Sequence, residues 1–171
     1  MTILGIDPGI ATIGFGVINS NKNSQELISY GAIRTQPGQG LSVRLSQIYS
    51  DALELIEKFR PDAISIEELF FNTNIKTGIS VSHGRGVLLL AGQNSNIPLY
   101  EYTPLQVKQA VTGYGRADKK QVMEMVKRLL KMNHIPKPDD AADALAVAIC
   151  YARSNTSLLS VTKGDEQCST T

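Results

Sequence analysis

Cysteine is scarce in this chain. Of 171 residues only Cys150 and Cys168 carry thiols, one in an alanine-rich helical pattern and one in a polar stretch, so no disulfide framework is expected. Only 2 histidines are present, which leaves no Cys/His set with zinc-ligand spacing. Charged residues make up 19%, too few for a coiled coil or an acidic disordered chain. No uncharged apolar run reaches the ~18 residues that a membrane span needs. The opening MTILGIDPG lacks a basic segment followed by an apolar one, so no signal peptide is expected. The expectation is a cytoplasmic protein of a reducing compartment, with no membrane attachment.

What is present suits one globular domain. Apolar residues make up 42%, and the length corresponds to a single domain with a core of its own. The net charge of +1 conceals an uneven distribution. Residues 1–68 carry five basic and eight acidic side chains, residues 69–138 ten and three, and residues 139–171 two and five. A strongly basic middle third lies between two acidic ends, which speaks to partners rather than to fold.

Ile3 to Asp7, Ile13 to Asn19 and Glu26 to Ile33 read as an antiparallel meander, punctuated by Pro8-Gly9 and by the polar stretch Ser20 to Ser24. Leu41, Leu45, Ile48, Ala52, Leu55, Ile56 and Phe59 recur at helical spacing, and Pro61 ends that helix. Ala63 to Ile66 is a short strand running into Glu67-Glu68. A helix is expected over Ser80 to Gly92, preceded by a polar loop, and a fifth strand over Pro98 to Tyr102. Pro104 suits the first turn of a helix ending near Gly113. Asp118 with Gln121 forms a capping-box pattern for the next helix. A last helix follows Pro138 and is expected to end near Arg153. Strands first, then helix–strand alternation, predict one α/β domain with a mixed sheet over residues 1–154, with 155–171 as a flexible tail.

Four acids stand where chemistry is done. Asp7 and Glu67 end apolar strands, and charged groups at such ends point into the crevice where α/β proteins bind ligands. Asp140 and Asp143 are i and i+3 on the last helix, and so share one face. Ala141, Ala142, Ala144 and Ala146 make that helix slim enough to lie close to the sheet. Like charges gathered together call for a cation. All-oxygen donors point to magnesium or manganese, and a pair of such ions suits phosphoryl transfer. Each acid alone also has a structural reading. Asp7 before Pro-Gly suits a turn, Asp139 and Asp140 suit a helix start, and Glu68 suits a solvated strand end.

Eight basic residues, Lys108, Arg116, Lys119, Lys120, Lys127, Arg128, Lys131 and Lys137, crowd into thirty positions. For Lys127 and Lys131 a solvated helix face is the favoured reading. Lys119 and Lys120 sit in a first helical turn, where the dipole disfavours cations and free amides favour a phosphate, so phosphate contact is expected there. Strand-like alternation in Phe70-Phe71 would place one ring in the core and the other outside, and two core rings is the alternative. His83 in the glycine-rich HGRG reads as a polar helix residue.

Taken together, GIDPG, SIEELFF, QVKQAVTGYGRADKKQV and DDAADALA, in this order and spacing over residues 1–153, resemble the RuvC family of bacterial Holliday junction resolvases. The resemblance implies a ribonuclease H-like fold, a five-stranded mixed sheet with helices on both faces. It implies a homodimer that nicks two opposed strands of four-way junction DNA, with some sequence preference, beside the RuvA–RuvB branch-migration complex. The family's catalytic, metal-binding acids map onto Asp7, Glu67, Asp140 and Asp143, with two Mg2+ ions per subunit expected and Mn2+ able to substitute. Its base-contacting aromatic maps onto Phe70 and its basic DNA contacts onto Lys108 and Lys119, the latter also acting in catalysis. Arg116 and Lys120 of the basic cluster join these as expected DNA contacts. Asp139 and Phe71 receive no role. Two rivals share parts of the pattern. An actin-like ATPase opens similarly but needs a second related lobe, and a helix-turn-helix DNA-binding module leaves Asp7 and Glu67 unexplained.

Overall fold

The computed structural model describes residues 1–21, 24–69 and 75–161, with side chains described except at 75–77 and 155–161. Strands β1 (Thr2–Asp7), β2 (Thr12–Ser20) and β3 (Gln25–Arg34) form the expected antiparallel meander, and β4 (Ala63–Glu67) and β5 (Leu99–Tyr102) add on in parallel. The sheet order is β3-β2-β1-β4-β5. Helices α1 (Leu41–Phe59) and α2 (Ile75–Asn94) accompany the parallel crossovers, and α3 (Pro104–Thr112), α4 (Lys119–Leu129) and α5 (Asp139–Val161) follow.

Two apolar layers sandwich the sheet, as strand alternation requires. Leu4, Ile6, Ile13, Val17, Ile64 and Ile66 pack with Ile48 and Ala52 of α1 and Leu88 and Ala91 of α2. Ile3, Ile18 and Ala63 face the other way, against α3, α4 and the buried run from Leu145 to Ala152 of α5. Helices therefore cover both faces. Ser65 is fully buried, and its hydroxyl donates to the Val147 carbonyl at 2.9 Å, pinning β4 to α5. A bond of this kind is worth about 1 kcal/mol.

Local signals account for the element ends. Thr103 and Asp118 each form a complete capping box, with Gln106 and Gln121 respectively, and Pro104 occupies the first turn of α3. Gly113 closes α3 at φ 76, a left-handed conformation that glycine adopts without a Cβ penalty. Two helix ends differ from the expectation. Helix α2 starts at Ile75, upstream of Ser80, and α5 continues to Val161, beyond Arg153. The segment SNTSLLSV after Arg153 contains neither glycine nor proline, and polarity alone does not stop a helix. Among the described residues no helix is long and apolar enough to cross a membrane.

Candidate active site

Strands β1 and β4 are parallel neighbours, with Ile6 opposite Ile66, so Asp7 and Glu67 emerge side by side where both strands end. On β1, Ile3, Gly5 and Asp7 alternate onto the α5 face, and on β4 so do Ala63, Ser65 and Glu67. What brings α5 down onto them is missing bulk. A Cβ on Gly5 would collide with the Ala144 carbonyl oxygen and lie 2.8 Å from the Ala148 Cβ. A Cβ on Gly14, opposite Asp7 in the β1–β2 register, would collide with the Asp140 carbonyl. The alanines of α5 supply half of this close approach and the sheet glycines the other half. Asp140 and Asp143, in the first turns of α5, are thereby lowered towards Asp7.

The electrostatics record the crowding. Asp7 is pushed up from its ordinary 3.8 to about 8, first by burial, then by the charges of Glu67, Asp143 and Asp140, with Lys119 opposing. Glu67 rises from 4.5 to about 7 through burial and Asp143, against Lys108 and Lys119. The counter-charge comes from the next helix. Lys119 Nζ donates to Asp143 Oδ2 at 2.8 Å and lies 3.8 Å from Asp139 Oδ2. Partial burial pulls the Lys119 pKa down, but the bond to Asp143 and the charges of Asp143, Asp139 and Asp7 outweigh it and leave the value raised.

Among the described residues no group of three or more His, Cys, Asp or Glu side chains is already set to hold a metal ion. The donor chemistry nonetheless suits a hard divalent cation. The donors are carboxylate oxygens alone, and two of them are held near or above neutrality by burial and mutual repulsion, the stress that a cation relieves. One ammonium at Lys119 offsets only part of that charge.

The structure thus gathers Asp7, Glu67, Asp140, Asp143 and Lys119, and places Lys108 where its charge is felt by Glu67. Arg116 is exposed in the turn between α3 and α4. Lys120 lines an open groove of about 410 Å3 with Tyr114 and Arg128. Phe70 lies outside the described residues, as does Phe71. Asp139 is the first residue of α5, within ion-pair reach of Lys119.

Sequence reasoning missed Gly84 and Arg85. Arg85 of α2 donates from Nε to the Glu67 carbonyl at 3.2 Å and pairs through Nη2 with Glu101 of β5. Gly84 packs so tightly on the loop after β1 that a Cβ there would collide with the Gly9 carbonyl oxygen. One turn of α2 thus braces the ends of both strands that carry Asp7 and Glu67. The HGRG segment was the available signal, but nothing local revealed these distant partners.

The family profile described as crossover junction endodeoxyribonuclease RuvC matches residues 3–151. This chain belongs to the RuvC family. A RuvC of Desulforamulus reducens is 56% identical over 153 residues, covering 90% of this chain and 94% of the relative. Among solved structures, Thermus thermophilus RuvC superposes with a TM-score of 0.84 at 36% identity, covering 91% of this chain and 98% of that one. The T. thermophilus RuvC solved in complex with a Holliday junction substrate gives 0.82 at 34% identity, with the same coverage. The RuvC fold is therefore the ribonuclease H-like architecture expected from the four motifs.

Proposed function

We propose that this protein is an endonuclease that resolves Holliday junctions, hydrolysing DNA phosphodiesters at the crevice between β1, β4 and α5. The observation that carries this reading is the side-by-side emergence of Asp7 and Glu67 beneath the Asp140/Asp143 face of α5, with Lys119 against Asp143. Asp7, Glu67, Asp140 and Asp143 would hold magnesium, two ions per subunit, with manganese as a substitute. Bound there, the metal supplies Lewis-acid stabilisation of the attacking and leaving oxygens in a phosphoryl displacement.

The chain's own residues do the rest. Lys119, tethered to Asp143, presents an ammonium that neutralises charge on the scissile phosphate. Lys108, near Glu67, offers a second cation to the strand. Phe70, three residues beyond Glu67, stacks on an unpaired base at the junction centre. Arg116 and Lys120 contact phosphates farther from the cut. The Arg85 and Gly84 braces keep the two strand ends in place while DNA is bound.

Two opposed nicks, leaving ends that ligase can seal, follow from a homodimer matched to the approximate two-fold symmetry of the junction. The exposed side chains of Ile79 and Leu90, with open Gly86 between them on α2, support that helix as the dimer face. The nuclease domain ends near residue 154, and the protein works in the cytoplasm beside a RuvA–RuvB complex. The deciding experiment offers a synthetic four-way junction and a linear duplex of the same sequence with and without magnesium. Paired, metal-dependent nicks confined to the junction support the reading, and equal cutting of both substrates overturns it.

A further inference from the structure

A second concave surface lies near the start of α5, two residues upstream of which Lys137 lines it. It is a groove of about 570 Å3 walled by Tyr30 of β3, by Glu124 and Lys127 of α4, and by Asn133, His134 and Lys137 of the segment leading into α5. The lining is dense in polar heads. The Tyr30 hydroxyl stands 3.4 Å from His134 Nε2, two ammonium groups face one carboxylate, and the Asn133 amide is exposed. Lys127 is half-buried, yet neither it nor Lys137 is ion-paired among the described residues, although Glu124 shares the wall. The groove thus presents two ammonium groups that no ion pair neutralises among the described residues, a lining complementary to an anionic ligand.

From this placement we infer that the groove holds the phosphodiester backbone of one junction arm and sets the register of that arm against the cutting centre. The inference rests on the nuclease reading, because its occupant is the substrate of that site. Position identifies the occupant. Lys137 is three residues before Asp140, which limits their Cα separation to roughly 11 Å. Lys127 is eight residues beyond Lys119 on one helix, about 12 Å along its axis at 1.5 Å per residue. At 3.4 Å of rise per nucleotide along the duplex axis, such separations span at most about four nucleotides, so the groove meets phosphates close to the scissile one. An anion bound so near the cut lies on the path of the substrate itself. Contacts to phosphate carry no sequence information, so the groove positions the arm and does not choose the cleavage sequence. Glu124 is the one opposing charge in the lining, and it weakens the hold.

The test measures junction binding in EDTA, where no cutting occurs, using unmodified junctions and junctions with uncharged methylphosphonate linkages two to five phosphates from the cut. The wild type is expected to lose several-fold in affinity when those linkages are neutral. The K127Q/K137Q variant is expected to bind the unmodified junction several-fold more weakly, alike for different arm sequences, and to be indifferent to the methylphosphonates. The slope of log K against log salt should fall by about 2 in that variant, one for each phosphate contact. E124Q should bind more tightly than wild type. Circular dichroism confirms that each variant is folded. If the folded double variant keeps both the wild-type salt slope and the wild-type sensitivity to methylphosphonates, the groove does not hold the arm. Cleavage of the unmodified junction by wild type with magnesium is scored separately. Its failure removes the nuclease reading, whereas its success with an indifferent double variant removes only this inference.

Discussion

The ammonium of Lys119 and the carboxylate of Asp143 are hydrogen-bonded at 2.8 Å, joining the first turn of α4 to the third acid of α5. Both groups are partly exposed, with 54% of the lysine side chain open to solvent. Exposed pairs contribute little to stability, ~1 kcal/mol at most. Lys119→Ala is therefore expected to shift the melting temperature by no more than about 4 °C. It should reduce single-turnover junction cleavage by about 10-fold or more, the loss of a cation aimed at developing charge. Unchanged cleavage of a saturated junction would reduce Lys119 to a surface residue.

The metal-free protein should be more stable in mild acid than in mild alkali. Asp7 titrates at about 8 and Glu67 at about 7 in the folded state, against 3.8 and 4.5 ordinarily. In the window between, the folded state holds protons that the unfolded chain has already released, so stability falls as pH rises from about 4.5 to about 8. Thermal melts in EDTA should show a lower melting temperature at pH 8 than at pH 6. Asp7→Asn should raise the value at pH 8 and flatten the slope. Magnesium should stabilise the wild type more at pH 8 than at pH 6, because fewer protons compete for the carboxylates there. A melting temperature that climbs steadily to pH 8 in EDTA would contradict this account.

Asp7→Asn should also separate cutting from binding. The acid is expected to serve the metal, while affinity comes mainly from the basic middle of the chain. Band-shift titration should find junction binding unchanged or tighter, since one negative charge beside DNA is gone, and cleavage should be lost. Loss of both in a folded variant would remove Asp7 from its role.

Gly14→Ala tests how α5 is seated. Its new Cβ would fall on the Asp140 carbonyl, backbone that has no rotamer to give way. Overpacking of this kind costs about 1–3 kcal/mol. A lower melting temperature should be accompanied by a weaker magnesium response in calorimetry, because the same displacement lifts Asp140 from Asp7. A wild-type magnesium response would show that the acids are positioned by something other than this close approach.

Phe70→Ala should impair junction cleavage and spare stability, and Phe71→Ala should do the reverse, with ~3–5 kcal/mol lost on truncating a core ring. Melting curves and cleavage rates for the pair decide the assignment, and two unfolded variants would remove both rings from DNA recognition.

The sequence displayed what is local or periodic. Strand ends marked Asp7 and Glu67, the i, i+3 spacing marked Asp140 and Asp143, and the capping boxes at Thr103 and Asp118 marked two helix starts. Pairings between distant segments were hidden. Nothing around Arg85 announces the Glu67 carbonyl, 18 residues away. Gly5 and Gly14 read as ordinary strand residues until α5 is seen lying on them. Lys127 read as solvated because helical spacing places it on a polar face, and the wall supplied by β3 and the 133–137 segment is a tertiary feature. Gly78 and the polar residues before it suggested a loop where α2 has already begun, and the polar residues after Arg153 suggested an end that α5 does not have.

The seating of α5 on bare backbone at Gly5 and Gly14 has a consequence for sequence drift. Elsewhere in the two apolar layers, helix and sheet are spaced by side chains, and volume-conserving exchanges can accumulate there at little cost. Over the acids, the spacing is main chain against main chain, and no repacking of neighbours compensates for an added methyl group. The dimension that matters for holding a cation is thereby uncoupled from the composition of the core. Most of the interior is free to vary while the opening between Asp7 and the Asp140–Asp143 face keeps its width.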